Sequence, residues 1–291
     1  MFLAVDIGGT KTIVASADSE GTIVERVQFA TPKELGSGVE MIRSAASTIG
    51  RKLSFEAMGV AIGGPLSIRD GKASPLHQAA WSDFSVREVF WGLFQCPVFF
   101  DVDTNVAAVG EYYSRNEKVD PLLYVTVSTG MGGGLIRDGK VFRGVDSNHP
   151  EIAHQAIPMV RNIENAKCAC GLSDCLEGLV SGRAIERIYG KPPASLDEWE
   201  WEEVALHLAQ GLRNASTIYS PEKIILGGSV AIGGGQKLLE QVRSFLDWNL
   251  RLVRCPEVAF SSLGKDAPIV GAARIAILGY NGGGDESEVL W

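Results

Sequence analysis

The apolar positions of the chain change period several times. Phe2–Asp6 and Thr12–Ser16 are short apolar or β-branched runs with a Gly-Gly turn region between them, and Thr22–Arg26 follows as a third, so the chain opens as a β-meander. From Val39 to Leu53 the apolar residues fall at 39, 42, 45, 46, 49 and 53, which is the spacing of one helical face. Ala57–Ile62 predicts a buried strand ending in Gly63-Gly64-Pro65, Pro97–Asp101 predicts another that leads to Asp103, and Asn105–Tyr113 reads as a helix. The second half repeats this style. Leu122–Ser128 is a strand, a glycine-rich stretch follows, then Leu135–Arg137, and Lys223–Leu226 is a buried strand ending in Gly227-Gly228-Ser229. Helices are expected at Leu176–Tyr189, Glu198–Tyr219 and Gln236–Leu250. A strand–glycine turn–strand opening therefore occurs twice, at 2–16 and 122–137, which predicts two related α/β domains with a boundary near Glu117–Pro121. The tail from Tyr280, with a Gly-Gly-Gly run and three acids, is expected to be mobile.

Composition narrows the class. With 45% apolar and 21% charged residues over 291 positions, the chain is long and apolar enough to bury a core without staples, which excludes disorder and a disulfide-stapled miniature fold. A net charge of −8 argues against nucleic acid as the main partner, because phosphate binding needs a basic surface. The start MFLAVDIGG has no basic segment and reaches Asp6 at once, and the uncharged run Pro121–Ile136 is too short to span a bilayer. The expectation is a cytoplasmic protein with reduced thiols and no membrane partner. The remaining oddity is 34 glycines, about 12% against a usual share of about 7%.

Three glycine clusters carry candidate chemistry. Asp6-Ile7-Gly8-Gly9-Thr10-Lys11 lies between two expected strands. Glycines let a backbone approach an anion with its N–H groups inward, Thr10 adds a donor, Lys11 a charge, and Asp6 a site for hydrated Mg²⁺. A plain hairpin turn explains the same spacing. The other clusters are Ser128-Thr129-Gly130 with the glycines after it, and Gly227-Gly228. No Gly-Lys is followed by Ser or Thr, so a P-loop is excluded, and Leu135 breaks a dinucleotide fingerprint begun at Gly130. What fits is a nucleotide held by paired β-turns, one from each half of the chain. Cys168, Cys170 and Cys175 lie within eight residues, with His154 fourteen positions upstream. One imidazole and three thiolates make a closed tetrahedral zinc site of the structural kind. Asp103 follows a strand and precedes a helix; it suits a general base, although a helix cap is the commoner role there. Glu151 and Glu177 flank the expected metal ligands, where a zinc site would orient them toward polyol hydroxyls; as bare sequence they are equally surface acids.

Taken together these segments resemble the ROK family (repressors, open reading frames and kinases) of the actin-like sugar-kinase fold. The likeness runs from DIGGTKT at 6–12 through GVAIGGPLS at 59–67, DVDTNVAAVGE at 101–111, TVSTGMGGGLIRDGK at 126–140, HPEIAH at 149–154 and CACGLSDCLEGLVSGRAI at 168–185 to IILGGSV at 224–230. It implies a two-domain, ribonuclease H-like α/β fold with a cleft between the domains. Residues 1–117 form the first domain, with a helix about 268–280 packing back onto it. Residues 118–267 form the second, and 281–291 the tail. It implies ATP-dependent phosphorylation of a hexose, glucose in first place, with fructose or an N-acetylhexosamine as alternatives. Asp103 matches the base, and Asn105, Glu151, His154, Glu177 and Gly64 match sugar-binding positions. Asp6, Gly8, Gly9, Thr10, Lys11, Thr129, Gly130, Gly227 and Gly228 match the nucleotide and Mg²⁺ positions. His154, Cys168, Cys170 and Cys175 match the zinc ligands. A homodimer is implied. A regulator of the same family would need an added winged helix-turn-helix, and the reading places a kinase ahead of it. Pro150, Ala153, Asp174, Ser128 and Gly63 depart from the family's pattern, His77 stands where glucose-type members carry a sugar-binding Asn, and His149-Pro150 is a fructose-type feature. The sugar, the choice of ATP or polyphosphate as donor, and a role for the glycines at 232–235 and 282–284 stay open.

Overall fold

The computed structural model describes residues 1–50, 54–76, 78–164 and 166–283. They divide into two compact units. The first contains Met1–Asn116, Arg143–Asn148 and the stretch from Asp266; the second contains Glu117–Phe142 and His149–Lys265.

The first unit runs β1 (Phe2–Ile7), β2 (Lys11–Ala17), β3 (Ile23–Ala30), α1 (Leu35–Gly50), β4 (Met58–Ile62), β5 (Leu66–Ser67), β6 (Lys72–Ala73), β7 (Phe84–Ser85), α2 (Val86–Phe94), β8 (Val98–Val102) and α3 (Asp103–Tyr113). The main sheet has the order β3-β2-β1-β4-β8. β1–β3 form an antiparallel meander, and β4 and β8 run parallel to β1. β1, β4 and β8 are buried along their whole length, the pattern of strands covered on both faces. β3 alternates half-buried and exposed residues, the pattern of a strand with one wet face. β5, β6 and β7 make a small antiparallel sheet of their own.

The second unit runs β9 (Leu122–Val127), β10 (Met131–Arg137), β11 (Lys140–Val141), α4 (Glu177–Val180), α5 (Gly182–Tyr189), α6 (Glu198–Tyr219), β12 (Lys223–Gly227), α7 (Ser229–Gly233), α8 (Gly235–Asn249) and β13 (Glu257–Phe260). Its sheet has the order β11-β10-β9-β12-β13, with the same pattern of antiparallel and parallel neighbours as the first. Asp197 and Glu200 close a reciprocal capping box at the start of α6. The last helix, α9 (Ala267–Asn281), belongs to the first unit, where it packs on α3, β1 and β4.

Several expected elements shift. β3 continues to Ala30, and α1 begins at Leu35. Gly132–Gly134 are not part of a turn: they sit in β10 opposite Thr126, Val125 and Tyr124. The reason is packing, since a Cβ on Gly133 would collide with the Ile152 side chain. The single helix expected over Leu176–Tyr189 breaks at Ser181, which adopts extended backbone and accepts the Ala184 N–H at 3.3 Å to start α5. The short helix α7 has no counterpart in the expected elements. Asn281 closes α9; Leu53, His77 and residues 284–291 of the tail lie outside the described residues.

Candidate active site

In the first unit, β1 ends at a hairpin turn in which the Gly8 N–H donates to the Lys11 carbonyl at 3.0 Å. Two side chains brace the turn from behind. The Thr31 hydroxyl donates to the Gly8 carbonyl at 2.7 Å, and the Gln78 amide reaches the same oxygen at 3.4 Å. Gly9 and Thr10 are exposed, and Lys11 is half-buried. Asp6 lies one residue inside this turn and is buried. Its pKa is pushed up to about 7, first by burial and then by the charge of Asp103, with Lys11 opposing. Strand register explains the proximity of the acids: Asp6 sits opposite Ala61, and Ala61 opposite Asp101, so the chain beyond β8 emerges level with the end of β1, with only β4 between them. Asp103 is the first residue of α3, and the cap position belongs to Val102, which has no capping side chain. The helix-cap role for Asp103 is thereby corrected. Gly64 stands beside this strand end, with Val102 Cγ2 3.7 Å from where its Cβ would be.

Asp101 and Asn105 complete the group. Asp101 is fully buried and pairs with Arg143. Its Oδ1 accepts the Val102 N–H at 2.7 Å and the Asn105 Nδ2 at 3.2 Å. Asn105 is buried as well. Nothing in the sequence pattern singled out Arg143. Its partner lies 42 residues earlier, and the only available signal was a strand-end acid with no lysine or arginine near it in sequence.

In the second unit the glycine turn after β9 is tied down on both sides. Ser128 N–H donates to the Gly130 carbonyl at 2.8 Å, Gly182 N–H to the Ser128 carbonyl at 2.7 Å, and Arg183 N–H to the Thr129 carbonyl at 3.2 Å. Thr129 itself is exposed and Gly130 half-buried. Gly182 also neighbours Val230 in α7, which brings the turn beside the segment after Gly227-Gly228. Gly228 has φ +87°, and a Cβ there would strike the Val127 carbonyl, so this bend needs glycine.

His154, Cys168, Cys170 and Cys175 converge: one ligand atom from each lies within 4.8 Å of the others. A short β-bridge between Ala156 and Cys175 brings the two loops together, and the Leu176 N–H donates to the Gln155 carbonyl at 3.0 Å beside it. Cys170 and Cys175 sulfurs are 3.4 Å apart, and the Cys168 sulfur is 3.2 Å from His154 Nδ1. Zinc bonded to sulfur at about 2.3 Å asks for sulfurs about 3.8 Å apart, so the donor set fits that ion. Burial pushes the Cys168 thiol up to about 12 and the Cys175 thiol up to about 11; Cys170 is lowered, chiefly by the Leu172 backbone N–H. The other ring nitrogen of His154 faces Glu151 at 3.9 Å, and His149 Nε2 is 3.6 Å from the same carboxylate. Glu151 is exposed. Glu177 is turned inward: it accepts the Met131 N–H at 3.2 Å, and the Cys168 thiol lies 3.6 Å from its other oxygen. It links the start of β10 to the cysteine loop.

The expected site residues thus form one cluster in the first unit, Asp6 to Lys11 with Gly64, Asp103 and Asn105. In the second unit they form two further groups, around Gly130 and around His154. The Asp6 carboxylate suits a divalent cation, because a positive charge there offsets both the burial and the neighbouring Asp103.

The chain matches the model of the ROK family over residues 2–278. It is 35% identical over 243 residues to a fructokinase of Zymomonas mobilis, covering 78% of each chain. A ROK hexokinase from Thermus thermophilus superposes with a TM-score of 0.81 at 30% identity, over 97% of this chain and 99% of that one. A ROK family glucokinase from Streptomyces griseus, solved in complex with glucose and AMPPNP, superposes with a TM-score of 0.78 at 26% identity, over 94% and 98%. The chain belongs to the ROK family and is one of its sugar kinases, with the actin-like ATPase fold.

Proposed function

We propose that the protein transfers the γ-phosphoryl group of ATP to a hydroxyl of a hexose, with glucose as the substrate. The observation that carries this is Asp103 within electrostatic reach of the buried Asp6, at strand ends separated by β4 alone, beside a braced glycine turn. Asp103 accepts the proton of the attacking hydroxyl. The hydroxyl oxygen bonds to phosphorus as the bond to ADP breaks, and ADP leaves with that electron pair. Asn105, Glu151, His154 and Gly64 hold the sugar, and Glu177 sets the loop around it. Gly8 to Lys11, Thr129, Gly130, Gly227 and Gly228 hold the nucleotide. Asp6 holds Mg²⁺, which, when bound with ATP, neutralises charge on the phosphates. His154, Cys168, Cys170 and Cys175 hold a structural zinc ion, and the enzyme works as a cytoplasmic homodimer. Among the described residues no helix is long and apolar enough to cross a membrane.

Fructose is the second reading. It is favoured by the likeness to a fructokinase and by His149-Pro150, where the imidazole stands against Glu151. Coupled ADP release across glucose, fructose, mannose, N-acetylglucosamine and N-acetylmannosamine decides between them. Glucose is expected to give the highest kcat/KM; a higher value for fructose selects the second reading. Replacing ATP with polyphosphate is expected to abolish turnover. Sedimentation checks the dimer, which predicts twice the mass of one chain.

A further inference from the structure

We propose that Arg143 is a positioning residue for hexose phosphorylation, acting through Asp101 to aim the side-chain carbonyl of Asn105 at a substrate hydroxyl. The inference rests on the roles given above to Asp103 and Asn105.

Asp101 is sealed at the end of β8 with no exposure to solvent. A buried carboxylate needs charge and hydrogen-bond partners. Arg143 supplies both: Nη2 pairs with Oδ2, and Nη1 lies 3.4 Å from Oδ1. The guanidinium is itself largely buried. Paired with the guanidinium, the carboxylate oxygens serve as hydrogen-bond acceptors. Its Oδ1 then dictates the orientation of the Asn105 amide, which must offer its NH₂ group to Asp101, at 3.2 Å. The amide oxygen consequently faces away from Asp101. That oxygen is buried and has no hydrogen-bond partner. A buried acceptor left unpaired points to a donor that arrives with a ligand, and a sugar hydroxyl is such a donor.

The segment that carries Arg143 is built tightly. Gly144 N–H donates to the Asn148 carbonyl at 2.7 Å, and Arg143 Nη1 lies 3.5 Å from the Ser147 carbonyl. Asp146 and Ser147 both sit in the left-handed region, at φ +54° and +61°. Non-glycine residues hold that conformation only where their surroundings insist on it, and such positions cluster at functional sites. The guanidinium contact to Ser147 and the Gly144–Asn148 hydrogen bond both span this turn. Without Arg143 the Asp101 carboxylate loses its two-point anchor. The Asn105 amide that it orients is then free to turn over, and the substrate meets an NH₂ group where it needs an acceptor.

Arg143→Gln tests this through a split in the Michaelis constants. The hexose KM is expected to rise about tenfold or more with kcat also reduced, while the ATP KM stays within about twofold. Arg143→Lys, which keeps the charge but not the two-point contact, should recover part of the loss. A purely structural role would lower the melting temperature and the active fraction and leave both KM values in place. A folded Arg143→Gln enzyme with wild-type hexose KM overturns the proposal. If that variant does not fold, Arg143→Lys carries the test: a hexose KM raised about threefold supports the role, and an unchanged one overturns it. A wild-type enzyme inactive on every hexose overturns the wider reading as well, which separates the two failures.

Discussion

Asp101 and Asp103 stand two residues apart under opposite conditions. Asp101 is sealed and matched by a guanidinium, whereas Asp103 is half-buried in the first turn of α3 beside a second acid. Only the second arrangement suits proton transfer. Asp103→Asn is expected to lower kcat by about 10²–10⁴-fold while hexose still raises the melting temperature. Undiminished turnover would remove Asp103 from the role of base. The acids were legible in the sequence because each lies where an apolar run stops at a polar residue. Arg143 was not legible, because no local period marks a side chain whose partner lies 42 residues away.

His207 makes a second claim at this scale. It is buried in α6, and its Nε2 accepts the Val160 N–H at 3.2 Å, which requires the neutral ring. Burial lowers its pKa from the ordinary 6.5; Glu203 opposes that shift and Arg161 adds to it. The unfolded chain therefore binds the proton first as pH falls, so this stabilisation is full above about 6.5 and is lost below it. Urea midpoints between pH 5 and 8 should fall toward the acid end, and His207→Gln should flatten that slope. An unchanged slope in the variant would contradict the assignment.

At the scale of elements, α3 is placed by α9. A Cβ on Gly110 would meet the Ala267 carbonyl, and one on Gly271 would meet the Val106 carbonyl, so the two helices touch backbone to backbone. Gly271→Ala is expected to destabilise the protein by about 1–3 kcal/mol through overpacking, and to lower kcat because α3 carries Asp103 and Asn105. Thermal unfolding with parallel kinetics measures both. Such glycines account for part of a surplus that sequence alone assigned to turns. Gly133 is a similar case, lying in a strand because Ile152 fills the space beside it. Strand patterns do not reveal a close approach from a residue distant in sequence. The His154–Cys175 loops carry the other prediction at this scale. Protein purified without chelator should hold about one zinc per chain, and its removal should unfold this part of the second unit first. A metal-free protein with unchanged melting behaviour would sink the zinc assignment.

For the whole molecule, the repeated strand–glycine–strand opening proved a sound guide. Both sheets share one strand order and one pattern of directions, although the two halves share little recognisable sequence. Alternation and buried runs made the strands visible, since each sheet covers its central strands. The grouping of Arg143–Asn148 with the first unit was not visible, because a linear boundary cannot express a short return of the chain.

The central claim is ATP-dependent hexose phosphorylation with Asp103 as base, and coupled ADP release by the wild type and Asp103→Asn across the five sugars tests it most directly. The account predicts turnover with glucose above the other sugars and its near-complete loss in the variant. Absence of hexose-dependent ADP release in the wild type, or equal turnover in the variant, would contradict it.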